Sequence, residues 1–150
     1  VGARATAVEM EYADEAKLFP GAAETLQALK DRGYPVGILT RGGRQYAETI
    51  LGAAGVLDRF DAVVARDDYG EEDSKPSPAA LGHLAERLGV QPDEILYLGD
   101  HKIDWMTAEA VGAPFIGVTS GGYSAEDWRT RVGSQVQVID SVSDLRRLLR

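Results

Sequence analysis

Cysteine is absent from the 150 residues, which excludes disulfides, thiolate nucleophiles and Cys-based metal sites. No apolar run approaches the roughly 20 residues that a membrane-spanning helix needs, and the Ala-rich opening residues lack the apolar segment of a secretory signal. Positive charge is in deficit, with 16 Lys and Arg against 24 Asp and Glu and a formal charge of −8. Affinity for a nucleic-acid backbone comes mostly from cations neutralising phosphates, so this balance argues against such a partner. A local cation cluster or a metal still admits a small anionic substrate into one pocket. Internal repeats and low-complexity tracts are also missing. What is present is an ordinary globular composition, 44% hydrophobic and 27% charged, at a length that one core accommodates. The expectation is a cytoplasmic protein without a membrane partner.

The stretch around which the chain is organised is Ile95-Leu96-Tyr97-Leu98-Gly99-Asp100-His101-Lys102-Ile103-Asp104. Four apolar residues read as a short buried strand, Gly99 lets the chain turn as it leaves the sheet, and two carboxylates follow at positions 100 and 104. With a helix over 103–111, both carboxylates can face one crevice. Oxygen ligands at this spacing suit a hard ion such as Mg2+. Equally, Asp104 can favour a helix N-terminus through the dipole while Asp100 is a turn residue.

Elsewhere the periodicity predicts helices over 22–31, 44–54, 79–88, 103–111, 125–131 and 142–149, and strands over 36–40, 60–65, 95–98, 114–118 and 136–139. The polar run 66–78 is a long loop carrying Lys75. Residues 3–16 fit two patterns: Ala5, Val8, Tyr12 and Ala16 share a helical face, whereas Thr6, Val8, Met10 and Tyr12 alternate as in a strand. The Ala, Glu, Met and Lys content favours helix, ending before the turn Leu18-Phe19-Pro20-Gly21. Apolar strands alternating with helices of about ten residues predict an α/β fold with a doubly wound parallel sheet. Residues just past the carboxyl ends of such strands share one crevice. Thr40, the 66–78 loop and Asp100 all occupy such positions.

A strand-terminal Thr followed by glycines offers a hydroxyl and N–H groups to an anion, a Lys supplies a point charge, and carboxylates hold a divalent ion. Those are parts of a phosphoryl-transfer site. Each also has a plainer reading: Thr40 as a capping hydroxyl, Lys75 as a solvated loop charge, Arg41 as a solvent-facing cation. His101, Lys102 and Trp105 read as local packing and surface, and His83 as an exposed or packed helical residue.

Four short motifs in order, Leu18-Phe19-Pro20-Gly21, Ile38-Leu39-Thr40, Lys75-Pro76-Ser77-Pro78 and Gly99-Asp100-His101-Lys102-Ile103-Asp104, resemble the haloacid dehalogenase superfamily, in particular its phosphoglycolate-phosphatase-like hydrolases. The resemblance implies a Rossmann-like core and a Mg2+-dependent phosphomonoester hydrolase of a small phosphorylated metabolite. It implies that Thr40, with Arg41 and Gly42 beside it, binds the phosphoryl group and that Lys75 neutralises charge on nucleophile and phosphate. Asp100 would ligate Mg2+, and Asp104 would support the metal or orient Lys75. A dehalogenase and a receiver domain are poorer fits, the first because its relatives use no metal and the second for want of an early acidic cluster.

The family's Asp-x-Asp nucleophile motif at the end of its first, central strand is not in this sequence. The nearest match is Glu9-Met10-Glu11, one methylene longer in each acid and followed by Tyr12-Ala13 in place of Gly-Thr. The expectation is therefore that residues 1–16 are the end of a cap-domain helix, that 17–150 form the core, and that the first strand, its nucleophile and most of the cap lie outside this chain. On that view the strands ending in Thr40 and Asp100 flank a gap, and the alternative function is a non-catalytic relative that binds a phosphorylated ligand or a protein partner.

Overall fold

In a computed structural model, the described residues are 4–9, 22–53, 55–73, 75–119, 122–141, 144, 145 and 147. Six strands form one sheet: β1 (Ala5–Glu9), β2 (Val36–Leu39), β3 (Ala62–Val64), β4 (Ile95–Gly99), β5 (Phe115–Val118) and β6 (Gln137–Ile139). Their order is β3-β2-β1-β4-β5-β6 and all neighbours are parallel. The helices are α1 (Ala22–Asp31), α2 (Arg44–Ala53), α3 (Pro78–Leu88), α4 (Lys102–Val111) and α5 (Ala125–Arg131). The expected doubly wound α/β class is what the chain adopts. Among the described residues no helix is long and apolar enough to cross a membrane.

Side-chain alternation along the strands divides the core in two. On one face Leu39, Val64, Ile95 and Tyr97 meet Leu81, Leu84 and Leu88 of α3 and Ala108 of α4. On the other, Val36, Ile38, Val63 and Leu98 meet Leu26 and Leu29 of α1 and Leu51 of α2. Burial on both faces explains why these strands are apolar at nearly every position. The small residues of β2 and β5 allow close approach: a Cβ on Gly37 would lie 2.8 Å from Leu84, and one on Gly117 would lie 2.6 Å from the Trp128 ring.

The helix expected over 3–16 is corrected over Ala5–Glu9, which is a strand at the centre of the sheet. Thr6 to Glu9 pair with Val36 to Leu39 on one side, and Ala5 to Val8 pair with Ile95 to Leu98 on the other. Helix propensity differs by only some tenths of a kcal/mol per residue. Leaving the inner edges of β2 and β4 unpaired would cost about 1–3 kcal/mol per buried group, so pairing prevails. The expected gap between those strands is therefore filled. Residues 10–16 and the 18–21 turn lie outside the described residues.

Other differences are at the edges. The 66–78 loop holds two short 3-10 turns, Arg66–Asp68 and Glu71–Asp73, before α3 begins at Pro78. β3 is shorter than the apolar run 60–65, because it pairs only with β2. The helix expected over 142–149 falls largely outside the described residues, although Leu145 is buried with the second core.

Candidate active site at the carboxyl edge of the sheet

Asp104 lies in the first turn of α4 and is 1% exposed. Its Oδ1 accepts from Lys75 Nζ at 2.8 Å and from the Tyr97 hydroxyl at 3.2 Å, while its Oδ2 accepts from the Asp100 N–H at 3.2 Å. The Lys75 side chain is fully enclosed. Two charges removed from water survive there because they compensate each other and the remaining lone pairs find donors. Gly99 makes the approach possible, since a Cβ on it would lie 2.3 Å from the Asp104 Cβ. The reason for glycine is thus the proximity of α4 rather than a left-handed turn, because Gly99 is not among the positive-φ glycines.

Asp100 follows β4 directly. Its Oδ2 accepts from the Gly122 N–H at 3.1 Å and its carbonyl from the Tyr123 N–H at 2.9 Å, so the loop after β5 holds both ends of the residue. Its Oδ1 is buried and has no hydrogen-bond partner among the described residues. A buried carboxylate oxygen without a donor is costly. A cation at that oxygen would relieve the cost, and a hard oxygen donor fits Mg2+, which takes one or two carboxylates and keeps several waters. Among the described residues no set of three His, Asp or Glu could enclose a metal. The fit therefore rests on Asp100.

Thr40 follows β2 and is 3% exposed. Its N–H donates to the Val64 carbonyl at 3.0 Å, and its Oγ1 accepts from the Gly42 N–H at 3.0 Å. The hydroxyl proton is left to donate elsewhere, which suits an anion's oxygen. The Gly42 N–H, expected to face such an anion, is directed to Thr40 instead, and the Gly42 carbonyl accepts from the Arg66 N–H at 3.0 Å. Arg41 is exposed.

The 66–78 loop, which begins at β3, crosses the edge of the sheet. Its Tyr69 hydroxyl donates to the Thr40 carbonyl at 3.2 Å, and its Lys75 reaches Asp104 beyond β4. Lys75, Asp100 and Asp104 form one hydrogen-bonded cluster, and Thr40 is bonded through Tyr69 to the loop that carries Lys75. His101 caps α4, its Nδ1 accepting from the Ile103 N–H at 3.2 Å, with its ring 4.6 Å from that of Tyr123. The packing role read from the sequence thus extends to a helix cap. Tyr69, Tyr97 and Gly122 were not legible as site residues. A tyrosine in an apolar strand or a polar loop carries no local signal that its hydroxyl will meet a particular acceptor.

The model for haloacid dehalogenase-like hydrolases matches residues 3–112. The chain is 37% identical over 112 residues to phosphoglycolate phosphatase of Escherichia coli K12, covering 74% of this chain and 44% of that protein. It is 33% identical over 142 residues to phosphoglycolate phosphatase of Nitrosococcus oceani, covering 92% and 61%. Among solved structures, a predicted phosphoglycolate phosphatase from Haemophilus somnus 129pt superposes with a TM-score of 0.78 at 27% identity, covering 89% of this chain and 58% of that one. The chain belongs to the haloacid dehalogenase-like hydrolases. It spans about half the length of the curated relatives it matches.

Proposed function

We propose that this chain is the core of a phosphomonoester hydrolase, phosphoglycolate-phosphatase-like, that acts on a small phosphorylated metabolite with Mg2+ as cofactor. The observation that carries this reading is the Asp100 carboxylate, whose Oδ1 is buried without a partner, hydrogen-bonded through its own N–H to the enclosed Lys75–Asp104 pair. Bound Mg2+ would neutralise charge on the phosphoryl oxygens. Thr40 Oγ1 donates to one of those oxygens, and Lys75 lends positive charge to the same volume. Asp104 orients Lys75, since both its oxygens already accept hydrogen bonds.

The attacking carboxylate, by resemblance, forms an aspartyl-phosphate. The expectation that it lies outside this chain went with the helix expected over 3–16. In the sheet, however, β1 occupies the central position between β2 and β4 and ends at Glu9. The alternative, a non-catalytic binder of a phosphorylated ligand or a protein, is favoured only by the missing Asp-x-Asp.

A generic phosphate ester and Mg2+ decide between these. Turnover by residues 1–150 that Glu9→Gln abolishes assigns the attacking group to Glu9. Mg2+ and phosphate binding without turnover supports the non-catalytic reading for this chain. Calorimetry of Mg2+ binding should show a large loss in Asp100→Asn and little change in His101→Ala; equal affinity in the two would return Asp100 to a turn residue.

A further inference from the structure

Outside the cluster just described, one chain of contacts leads from a helix surface to the Thr40 backbone. His83, on α3, places Nε2 at 3.1 Å from Asp73 Oδ2. Its ring lies against that of Tyr69 at 5.8 Å between centroids and 8° between planes. The Tyr69 hydroxyl in turn donates to the Thr40 carbonyl at 3.2 Å. Asp73 precedes Lys75 by two positions in the same loop, so the His83–Asp73 contact holds the loop that delivers the lysine while the stacked ring holds the hydroxyl that reaches Thr40.

We infer that Tyr69 is a positioning residue for phosphate binding: its hydroxyl fixes the Thr40 peptide, and its ring is held in place by His83 and Asp73. This rests on the reading of Thr40 as a phosphate-binding residue. With the N–H of Thr40 on Val64 and its carbonyl on Tyr69, both sides of the residue are tied, and the Gly42 N–H holds Oγ1. Without the tyrosine hydroxyl the Thr40–Arg41 peptide loses one of its anchors, and the Gly42 N–H that orients Oγ1 moves with it. Burial pushes the Tyr69 hydroxyl above the usual tyrosine range, outweighing the opposite pull of Lys75 and Arg41. It therefore stays protonated and able to donate at neutral pH.

Tyr69→Phe tests this, because it keeps the ring on His83 and removes only the donor. The probe is inorganic phosphate with saturating Mg2+, titrated into the full chain and followed by calorimetry and by the backbone amide 15N resonance of Arg41, whose peptide carries the Thr40 carbonyl. Loss of one hydrogen bond should weaken phosphate binding about three- to tenfold, move the Arg41 resonance even without phosphate, and lower the thermal midpoint by only a few degrees. His83→Ala should weaken phosphate binding as well, through the loosened ring, whereas a purely structural role would lower the midpoint and leave the affinity alone. If wild type binds phosphate and Tyr69→Phe binds it equally well, the positioning role is overturned while the phosphatase reading stands. If wild type binds no phosphate, that reading falls and this inference with it.

Discussion

Two ion-pair systems sit near the carboxyl edge of the sheet, built from similar charges in different surroundings. Lys75 and Asp104 have side chains 0% and 1% exposed, whereas Arg44 and Asp68 are 31% and 14% exposed. The Arg44 guanidinium forks onto both oxygens of Asp68, also reaches Glu48 and the Val63 carbonyl, and ties α2 to the turn after β3. Solvent and several partners share that load, so any single contact is replaceable. At Lys75–Asp104 almost nothing is shared with water. A buried pair of this kind often contributes less to stability than apolar residues of the same shape would. On the proposed function, the pair holds a positive charge in one place, which a hydrophobic pair cannot do.

The largest expected effect breaks the enclosed pair. Lys75→Met leaves the Asp104 carboxylate buried without that cation and should cost about 3–5 kcal/mol in urea denaturation. The double variant Lys75→Met/Asp104→Leu should recover part of that loss, since the Tyr97 hydroxyl and the Asp100 N–H lose this acceptor, and on the proposed function it should bind no phosphate. A double variant as unstable as the single one would mean that the pair is there for stability after all.

A smaller effect belongs to Asp68. Burial alone would raise its carboxyl, but hydrogen bonds from Arg44 and the Ala65 N–H, with the charges of Arg44 and Arg87, outweigh this and hold it below the usual range. A lowered folded-state value adds stability above the unfolded value and loses it as pH falls through the folded one. Asp68→Asn should therefore be less stable than wild type by about 1 kcal/mol at neutral pH. The gap should begin to close as pH falls through about 4 and vanish only below the lowered folded-state value, as read from unfolding curves at a series of pH values. A gap that persists in acid would show that Asp68 contributes by shape and not by charge.

The smallest effect sharpens the contrast from the solvent side. Arg129 and Glu126 pair on α5 with side chains 58% and 67% exposed. Arg129→Ala should change stability by less than about 0.5 kcal/mol, with no shift in thermal midpoint beyond error. A larger loss would mean that exposure is a poor guide to the worth of these pairs.

Much of the fold was legible because its signals are local. Apolar runs at the strands, helical periodicity between them and Gly89 and Gly112 closing α3 and α4 in left-handed geometry all act within a few residues. The positions of Thr40, Lys75 and Asp100 after apolar runs were readable for the same reason, since parallel topology brings strand ends to one edge. Ala5–Glu9 was misread as helix because composition and alternation disagreed there, and local propensities are too weak to arbitrate.

By itself, then, the sequence determined the α/β class, the strand-end placement of the candidate residues and the acidic spacing of Asp100 and Asp104. Tertiary structure alone decided that Ala5–Glu9 is the central strand, because only β2 and β4, distant in sequence, supply the hydrogen-bond partners on its two sides. It also decided the division of labour between the two aspartates. Asp104 is engaged by Lys75, Tyr97 and the Asp100 N–H, while Asp100 keeps one oxygen unpartnered among the described residues. Which donors reach a carboxylate depends on segments that meet only after the sheet is assembled, and spacing along the chain carries no record of them.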